Sequence, residues 1–323
     1  MNVRAATAQD AAGIVGLHKA SNPHGDWYRD PLARLGRVPY EDLTPFERYL
    51  HGGFGMDLSL FRRHFHELLR RGFPVIVAEG RGKILGECEV WLDDEPPPFG
   101  RYAAVTTLES GSPPDRDVER ELLARAEDKA RKLGYATLDL CARSPGGEPA
   151  AEALGFAPLW DTRTFQTDLA DVPAPEEEFA TKFLAAEYGD LGGLLRLDHR
   201  EPARWRFETL VGVWPAAQVA GLADATKLVA VTVRPDQGAG FAVLAARRAW
   251  RDPPVGEIDI WLAPPAVRRR SDVGRAFRIA AEIARKLGVQ RAETNAPPSA
   301  SSALQGLGFA MGDTPSVWRR RSF

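Results

Sequence analysis

The chain alternates between stretches with apolar residues at helical spacing and stretches rich in β-branched and aromatic residues. In the first half, "TAQDAAGIVGLHKA" and "LSLFRRHFHELLRRG" carry the helical spacing. "FPVIVAEG", "KILGECEVWLDD" and "RYAAVTTLES" follow as strands separated by Gly/Pro turns. A long helix then ends in "ARKLG", whose glycine fits a C-cap. "YATLDLCA" reads as a strand, a short helix closes on "LGF", and "TRTFQTDL" reads as a last strand. The second half gives the same order. "YGDLGGLLRLDH" and "PARWRFETLVG" stand as helices and "TKLVAVTVRP", "GFAVLAARRAW" and "GEIDIWLAPP" as strands. A second helix ending in "ARKLG", the strand "VQRAETNA", a second "LGF" and the strand "SVWRRRSF" complete it.

The order recurs because the chain repeats itself. "ARKLG" occupies Ala130–Gly134 and Ala284–Gly288, and "LGF" occupies Leu154–Phe156 and Leu307–Phe309. "DV.R" occupies Asp117–Arg120 and Asp272–Arg275. So long a period means two tandem domains, not a solenoid. Between them "LADVPAPEEEF", Leu169–Phe179, has the prolines and glutamates of a linker. The expected domains are 1–172 and 178–323, and 323 residues suit about two domains of roughly 150 each. Within each, a helix crossing between two strands implies parallel pairing there, and turn-linked strands imply antiparallel pairing. The fold class is therefore α/β: a mixed sheet with helices on both faces.

Composition narrows the function by exclusion. A net charge of −2 excludes a globally basic nucleic-acid binder. No run of about 18 apolar residues exists to span a membrane, and the N-terminus carries no apolar signal core. Cys88 and Cys141 are too few for a disulfide framework and suit no zinc site, so a reducing cytoplasm is the expected compartment. His64 and His66, two apart on a helix, do not face one another, and no metal is expected. The excess of arginine over lysine reads first as GC-rich coding bias.

Three segments point further: "VRAATAQDAAGIVGLH", "EIDIWLAPPAVRRRSDVGRAF" and the paired "ALGFAPL" and "GLGFAMG". Their kind and order, met twice, resemble the GCN5-related N-acetyltransferases in a tandem arrangement over nearly the whole chain. The resemblance implies two domains with mainly antiparallel sheets and a parallel splay between the family's fourth and fifth strands. It implies acetyl-CoA as co-substrate, its pantetheine arm in the splay and its pyrophosphate on a glycine-rich loop at a helix N-terminus. It also implies an amine acceptor whose proton goes to a carboxylate, directly or through water.

The two loops differ. In "GSPPDRDVERELL", Asp115, Asp117 and Glu119 bring negative charge where phosphate would sit, so the first half is not expected to hold CoA in the usual way. In the second half Arg269, Arg270, Ser271, Asp272, Val273 and Gly274 fit the family pattern except at Asp272. Counting back from "ARKLG" gives another register, with Arg268, Ser271 and Val273 at the pattern positions. Leu262, Ala263 and Arg275 flank the loop on either reading. On the strand before it, alternation puts Glu257, Asp259 and Trp261 on one face, making Glu257 or Asp259 the candidate base. An amphipathic strand with a solvated edge explains the same pattern. The family's tyrosine proton donor is replaced by Ala151 and Leu304. The expectation is an acetyl-CoA-dependent N-acyltransferase acting on a small-molecule or peptide amine, as monomer or homodimer, with the second half catalytic. The alternative is a binding or scaffold protein that kept the fold and lost the chemistry.

Overall fold

The computed structural model describes residues 1–22, 26–31, 33–141, 147–176, 181–183, 188–210, 213–221, 226–233, 240–248, 255–264 and 266–323. Part of the linker (177–179) and the side chains of Cys141 and Arg268 fall outside the described residues.

The N-terminal half runs β1 (Asn2–Ala5), α1 (Ala11–Ala20), β2 (Tyr28–Asp30), β3 (Leu35–Arg37), α2 (Pro45–Gly52), α3 (Leu58–Arg70), β4 (Val75–Gly80), β5 (Lys83–Glu95), β6 (Gly100–Glu109), α4 (Arg116–Lys132), β7 (Thr137–Cys141), α5 (Gly147–Ala153) and β8 (Ala157–Asp168). The C-terminal half runs β9 (Thr181–Phe183), β10 (Leu195–Arg196), α6 (Ala203–Leu210), α7 (Pro215–Val219), β11 (Thr226–Val233), β12 (Phe241–Arg248), β13 (Val255–Leu262), α8 (Arg270–Lys286), β14 (Arg291–Ala296), α9 (Pro298–Gln305) and β15 (Ala310–Ser322). Both "ARKLG" segments end their helices as expected, with Gly134 and Gly288 at φ 78° and 74°, where a side chain would be strained.

All strands but β2 and β3 form one sheet of 13, ordered β1-β4-β5-β6-β7-β15-β8-β14-β13-β12-β11-β9, with β10 on β13. The two ends mirror one another about the β15–β8 pair. Each half's last strand crosses over: β15 pairs antiparallel with β7, and β8 pairs antiparallel with β14. The halves are thus laced into one sheet. Among the described residues, parallel pairing occurs only where a long helix crosses over, between β6 and β7 and between β13 and β14. Numbered along this chain, the fourth and fifth strands pair antiparallel as a tight hairpin, so the parallel splay does not fall at that position. The hairpin β2–β3 and the crossover helix α4 move it to β6–β7.

Alternation assigns the faces in the N-terminal half. Ile76, Ala78, Cys88, Val90, Ala103 and Val105 pack with Val118, Leu122 and Ala126 of α4. Val75, Val77 and Trp91 face the other way, onto Ile14 of α1 and Leu60 and Phe61 of α3. Burying about 25 cal/mol per Å² of apolar surface on both faces is what fixes the register. Asp57 caps α3 by accepting from the backbone N–H groups of Ser59 and Leu60, at 2.8 and 3.1 Å.

One expected helix is absent. "YGDLGGLLRLDH" forms a single 3₁₀ turn at Tyr188–Leu191 and then the two-residue strand β10. Two causes act together. Gly192 and Gly193 lower helix propensity, and Gly193 takes φ 81°. Beyond them, Leu195 and Arg196 pair with Leu262 and Trp261, while Leu197 N–H donates to Ile260 O at 2.9 Å.

The strand exchange is pinned by Arg320 of β15. It donates to both carboxylate oxygens of Asp139 on β7 at 2.7 and 2.8 Å, and Asp139 is fully buried. Replacing Arg320 by Ala is expected to cost about 3–5 kcal/mol by stranding a buried acid. Urea unfolding at neutral pH measures it.

Candidate active site

The β13–β14 splay, where a pantetheine arm is expected, is already filled by the chain. The parallel register covers only Val255–Glu257 against Arg291–Glu293, after which the strands diverge. One edge of β13 is taken along its length by β12, and the other is taken past the divergence by β10. The candidate bases Glu257 and Asp259 lie here, 2% and 1% exposed, so the solvated-edge explanation does not hold. Both are engaged by arginines. Arg206 lies 2.5 Å from Glu257 and 3.3 Å from Asp259. Arg200 donates to Glu257 at 3.1 Å, and Arg196 donates to Asp259 at 3.1 Å. Asp198 completes the set by binding Arg196 and Arg200 at 3.0 and 2.9 Å. Three guanidinium groups and three carboxylates balance in charge. That balance is what makes so much buried charge tolerable.

The N-terminal half keeps its splay open. β6 pairs with β7 over Ala103–Val105 only and then runs on to Glu109. A register shift against β5 at Glu89/Val90 leaves Thr106 as an extra, bulged residue. β13 has no such bulge against β12. A cleft of about 620 Å³ opens at this divergence. Its walls include Val105–Glu109 and Leu140 from the splay, Glu89 from β5, and His18, Tyr49, Phe54, Phe61 and His64 from the helical side. Glu201 and Trp205 reach it from the C-terminal half.

The cleft's chemistry comes from β5. Period-two alternation places Glu87, Glu89, Trp91, Asp93 and Glu95 on one face, and all five are buried. Glu87 Oε2 lies 2.6 Å from His18 Nε2, and Glu87 Oε1 has no hydrogen-bond partner. His18 fits only because residue 55 is glycine: a Cβ there would sit 2.6 Å from His18 Nδ1. Glu89 accepts from Thr107 Oγ1 at 2.9 Å and lies 2.9 Å from His64 Nε2. Trp214 Nε1 donates to His64 Nδ1 at 3.1 Å, so Nδ1 is an acceptor and His64 presents its Nε2 proton to Glu89. Burial lowers the His18 pKa, but the bond to Glu87 and the charges of Glu87, Glu109 and Glu89 outweigh it, and the net shift is upward. Burial and the neighbouring Glu89 push Glu87 upward. Burial would push Glu89 up too, but its contact with His64 and the hydrogen bond from Thr107 hold it below the usual range.

These groups were missed in the sequence because acids were sought on the strand preceding the long helix. The signal was one strand earlier, in the alternation of "ECEVWLDDE".

The two helix N-termini differ as well. Both helices begin the same distance before their "ARKLG". Gly274 lies inside α8, and a Cβ there would meet nothing within 4 Å. Val273 is fully buried in the core. Asp272 is about one-fifth exposed, with Arg269 Nη1 at 3.7 Å. Leu262 is buried, and Arg275 lies over the Phe241 ring at 5.8 Å. α8 has no side-chain cap. α4 is capped: Asp115 accepts from the N–H groups of Asp117 and Val118 at 3.0 and 3.2 Å. That carboxylate takes the amides a diphosphate would use. Ala151 and Leu304, at the tyrosine positions, are fully buried core residues. Among the described residues no group of three or more His, Cys, Asp or Glu is placed to hold a metal, and no helix is long and apolar enough to cross a membrane.

No protein-family model matches the sequence, and no curated protein matches it. Solved structures do. A GCN5-related N-acetyltransferase from Anabaena variabilis superposes with TM-score 0.61 at 10% identity, covering 99% of this chain and 72% of that one. One from Kribbella flavida gives 0.58 at 13%, covering 99% and 70%. Eis1 from Mycobacterium abscessus gives 0.52 at 14%, covering 99% and 73%. The chain has the GCN5-related N-acetyltransferase fold. Its acetyltransferase-fold architecture extends over both halves, since the alignments take in almost every residue.

The arginine–carboxylate set makes a pH prediction. Burial alone would raise the Asp198 pKa, but Arg196 and Arg200 hold it far below the usual carboxylate range. Its folded-state pKa is below the unfolded value of about 3.9, so it stabilises the fold fully above about pH 5 and progressively less as pH falls. Asp198→Asn is expected to lose about 3–5 kcal/mol at pH 7 and to flatten the acid limb. Urea midpoints measured from pH 3 to 7 test both.

Proposed function

We propose that the protein is an N-acyltransferase acting on an amine, and that the reaction cleft is the one in the N-terminal half. One observation carries the proposal. The only splay left open among the described residues leads to two buried histidine–carboxylate pairs. The earlier assignment of the chemistry to Glu257 and Asp259 is set aside, because both acids are committed to arginines and β10 lies across their strand.

Acetyl-CoA would supply the acetyl group, with its arm between β6 and β7. Backbone amides of β6 beyond Val105, where β7 no longer pairs, are placed to polarise a carbonyl. His18 is the group that takes the amine's proton. With Nε2–H on Glu87, Nδ1 is the basic atom, and Glu87 stabilises the imidazolium that forms. His64 fixes Glu89 as an ionised carboxylate in the cleft wall. The Asp115 cap takes the Asp117 and Val118 amides of α4 that a diphosphate would use, so donor affinity comes mainly from the arm. A second reading, a binding protein without acyl transfer, is favoured by that same Asp115 cap.

Incubating the full chain with labelled acetyl-CoA and a panel of amines decides between the two. Acetylated amine is expected, and His18→Ala is expected to slow it by about 10²-fold or more. No product with any amine, while amines still bind, leaves the binding reading. The pH profile gives a further check. His18 must be neutral to act, and its pKa is raised above 6.5. kcat/KM is expected to rise with pH through an inflection above that value, and Glu87→Gln to move the inflection downward.

A further inference from the structure

We infer that the closed splay of the C-terminal half serves as a strut for one wall of the N-terminal cleft, and that this wall, Glu201 with Trp205, selects a cationic amine carrying an apolar body. The inference deepens the acceptor reading above and rests on that cleft being the ligand site.

The wall is held from two sides. On one, Arg196 donates to the Glu201 carbonyl oxygen at 3.3 Å, and Arg206 Nη1 lies 3.7 Å from the Glu201 carboxylate. Both arginines are fixed by Asp259, and Arg206 also by Glu257. The acids first read as catalytic thus act as positioning residues, through the arginines. On the other side, β5 of the N-terminal half grips the start of α6. Glu95 accepts from Ala203 N–H, and Asp93 accepts from Arg204 N–H, each at 3.3 Å. Trp205, one residue on, is thereby seated against Phe54 and Trp91 with ring centroids 5.8 and 5.2 Å away.

Charge and shape then set the ligand class. Among the described residues the carboxylates lining the cleft are Glu89, Glu109 and Glu201, and no described lysine or arginine lines it. Behind His18, the buried Glu87 keeps one oxygen without a partner. In a partly enclosed site such a set favours a cation and excludes an anion. The aromatic wall of Phe54, Trp91 and Trp205 adds apolar area suited to an apolar body. Glu201 sits at the cleft wall with its side chain still 18% exposed, where a carboxylate can meet an ammonium without full desolvation.

The test needs no acyl donor, so its result is separable from that of the acyl-transfer assay. Calorimetric titration of the full chain compares 2-phenylethylamine with its neutral counterpart 2-phenylethanol. The amine is expected to bind at least about tenfold more tightly than the alcohol. Glu201→Gln is expected to weaken the amine about tenfold and leave the alcohol unchanged. Asp259→Asn should show the same selective loss, with thermal unfolding confirming that the variant is folded at the titration temperature. Equal affinity for amine and alcohol, binding of neither, or an unchanged amine affinity in Glu201→Gln overturns the inference. Charge-selective binding without acetyl transfer upholds it and removes the acyltransfer reading.

Discussion

A strand edge buried inside a protein must find a partner for its amide and carbonyl groups, because each one left unpaired costs about 1–3 kcal/mol. Two parallel strands that diverge create such an edge twice in this molecule, once after Val105 and once after Glu257. The two halves meet the requirement differently. The C-terminal half pairs its edge with its own chain, through Leu195–Leu197. The N-terminal half leaves its edge to a cleft. From a nearly symmetric sheet, that one difference leaves one splay closed and the other open.

Everything near the closed edge follows from closing it. Drawing the segment after Gly193 onto β13 brings Arg196 and Arg200 over a strand face that already carries Glu257 and Asp259. Arg206 of α6 completes the neutralisation. Six charges in so little space can stay buried only as a matched set, so the arrangement is rigid. That rigidity reaches the open cleft, since α6 spans from this network to the acids of β5. The exchange of β8 and β15 between the halves gives the connection a stiff frame, with Asp139 and Arg320 across one of its seams.

The open half pairs acids with imidazoles instead of guanidinium groups. An arginine keeps its proton throughout the accessible pH range, whereas histidine exchanges one near neutrality. Glu87 with His18 therefore has a chemical capacity that Glu257 and Asp259 lack. At the phosphate end the polarity is reversed. The C-terminal helix is uncapped and flanked by arginine, and the N-terminal helix is capped by Asp115.

Much of this was legible along the chain. The repeat, the order of elements, the parallel pairing across each long helix and the acidic start of α4 follow from local periodicity and short signals such as "ARKLG". Those signals act within a few residues, which is why they survive in one dimension. The face of Glu257 and Asp259 was legible too, but whether that face met solvent, a ligand or three arginines was not. The strand β10 was misread as helix because apolar spacing reports which residues are buried, not which distant edge they complete. The row from Glu87 to Glu95 was visible as alternation, yet its meaning depended on His18 and His64 arriving from α1 and α3. The sequence by itself determined the two-fold repetition of one architecture, because hydrogen bonding and burial impose their periods locally. Tertiary structure alone decided which copy stayed open, because that choice rests on contacts between residues dozens of positions apart.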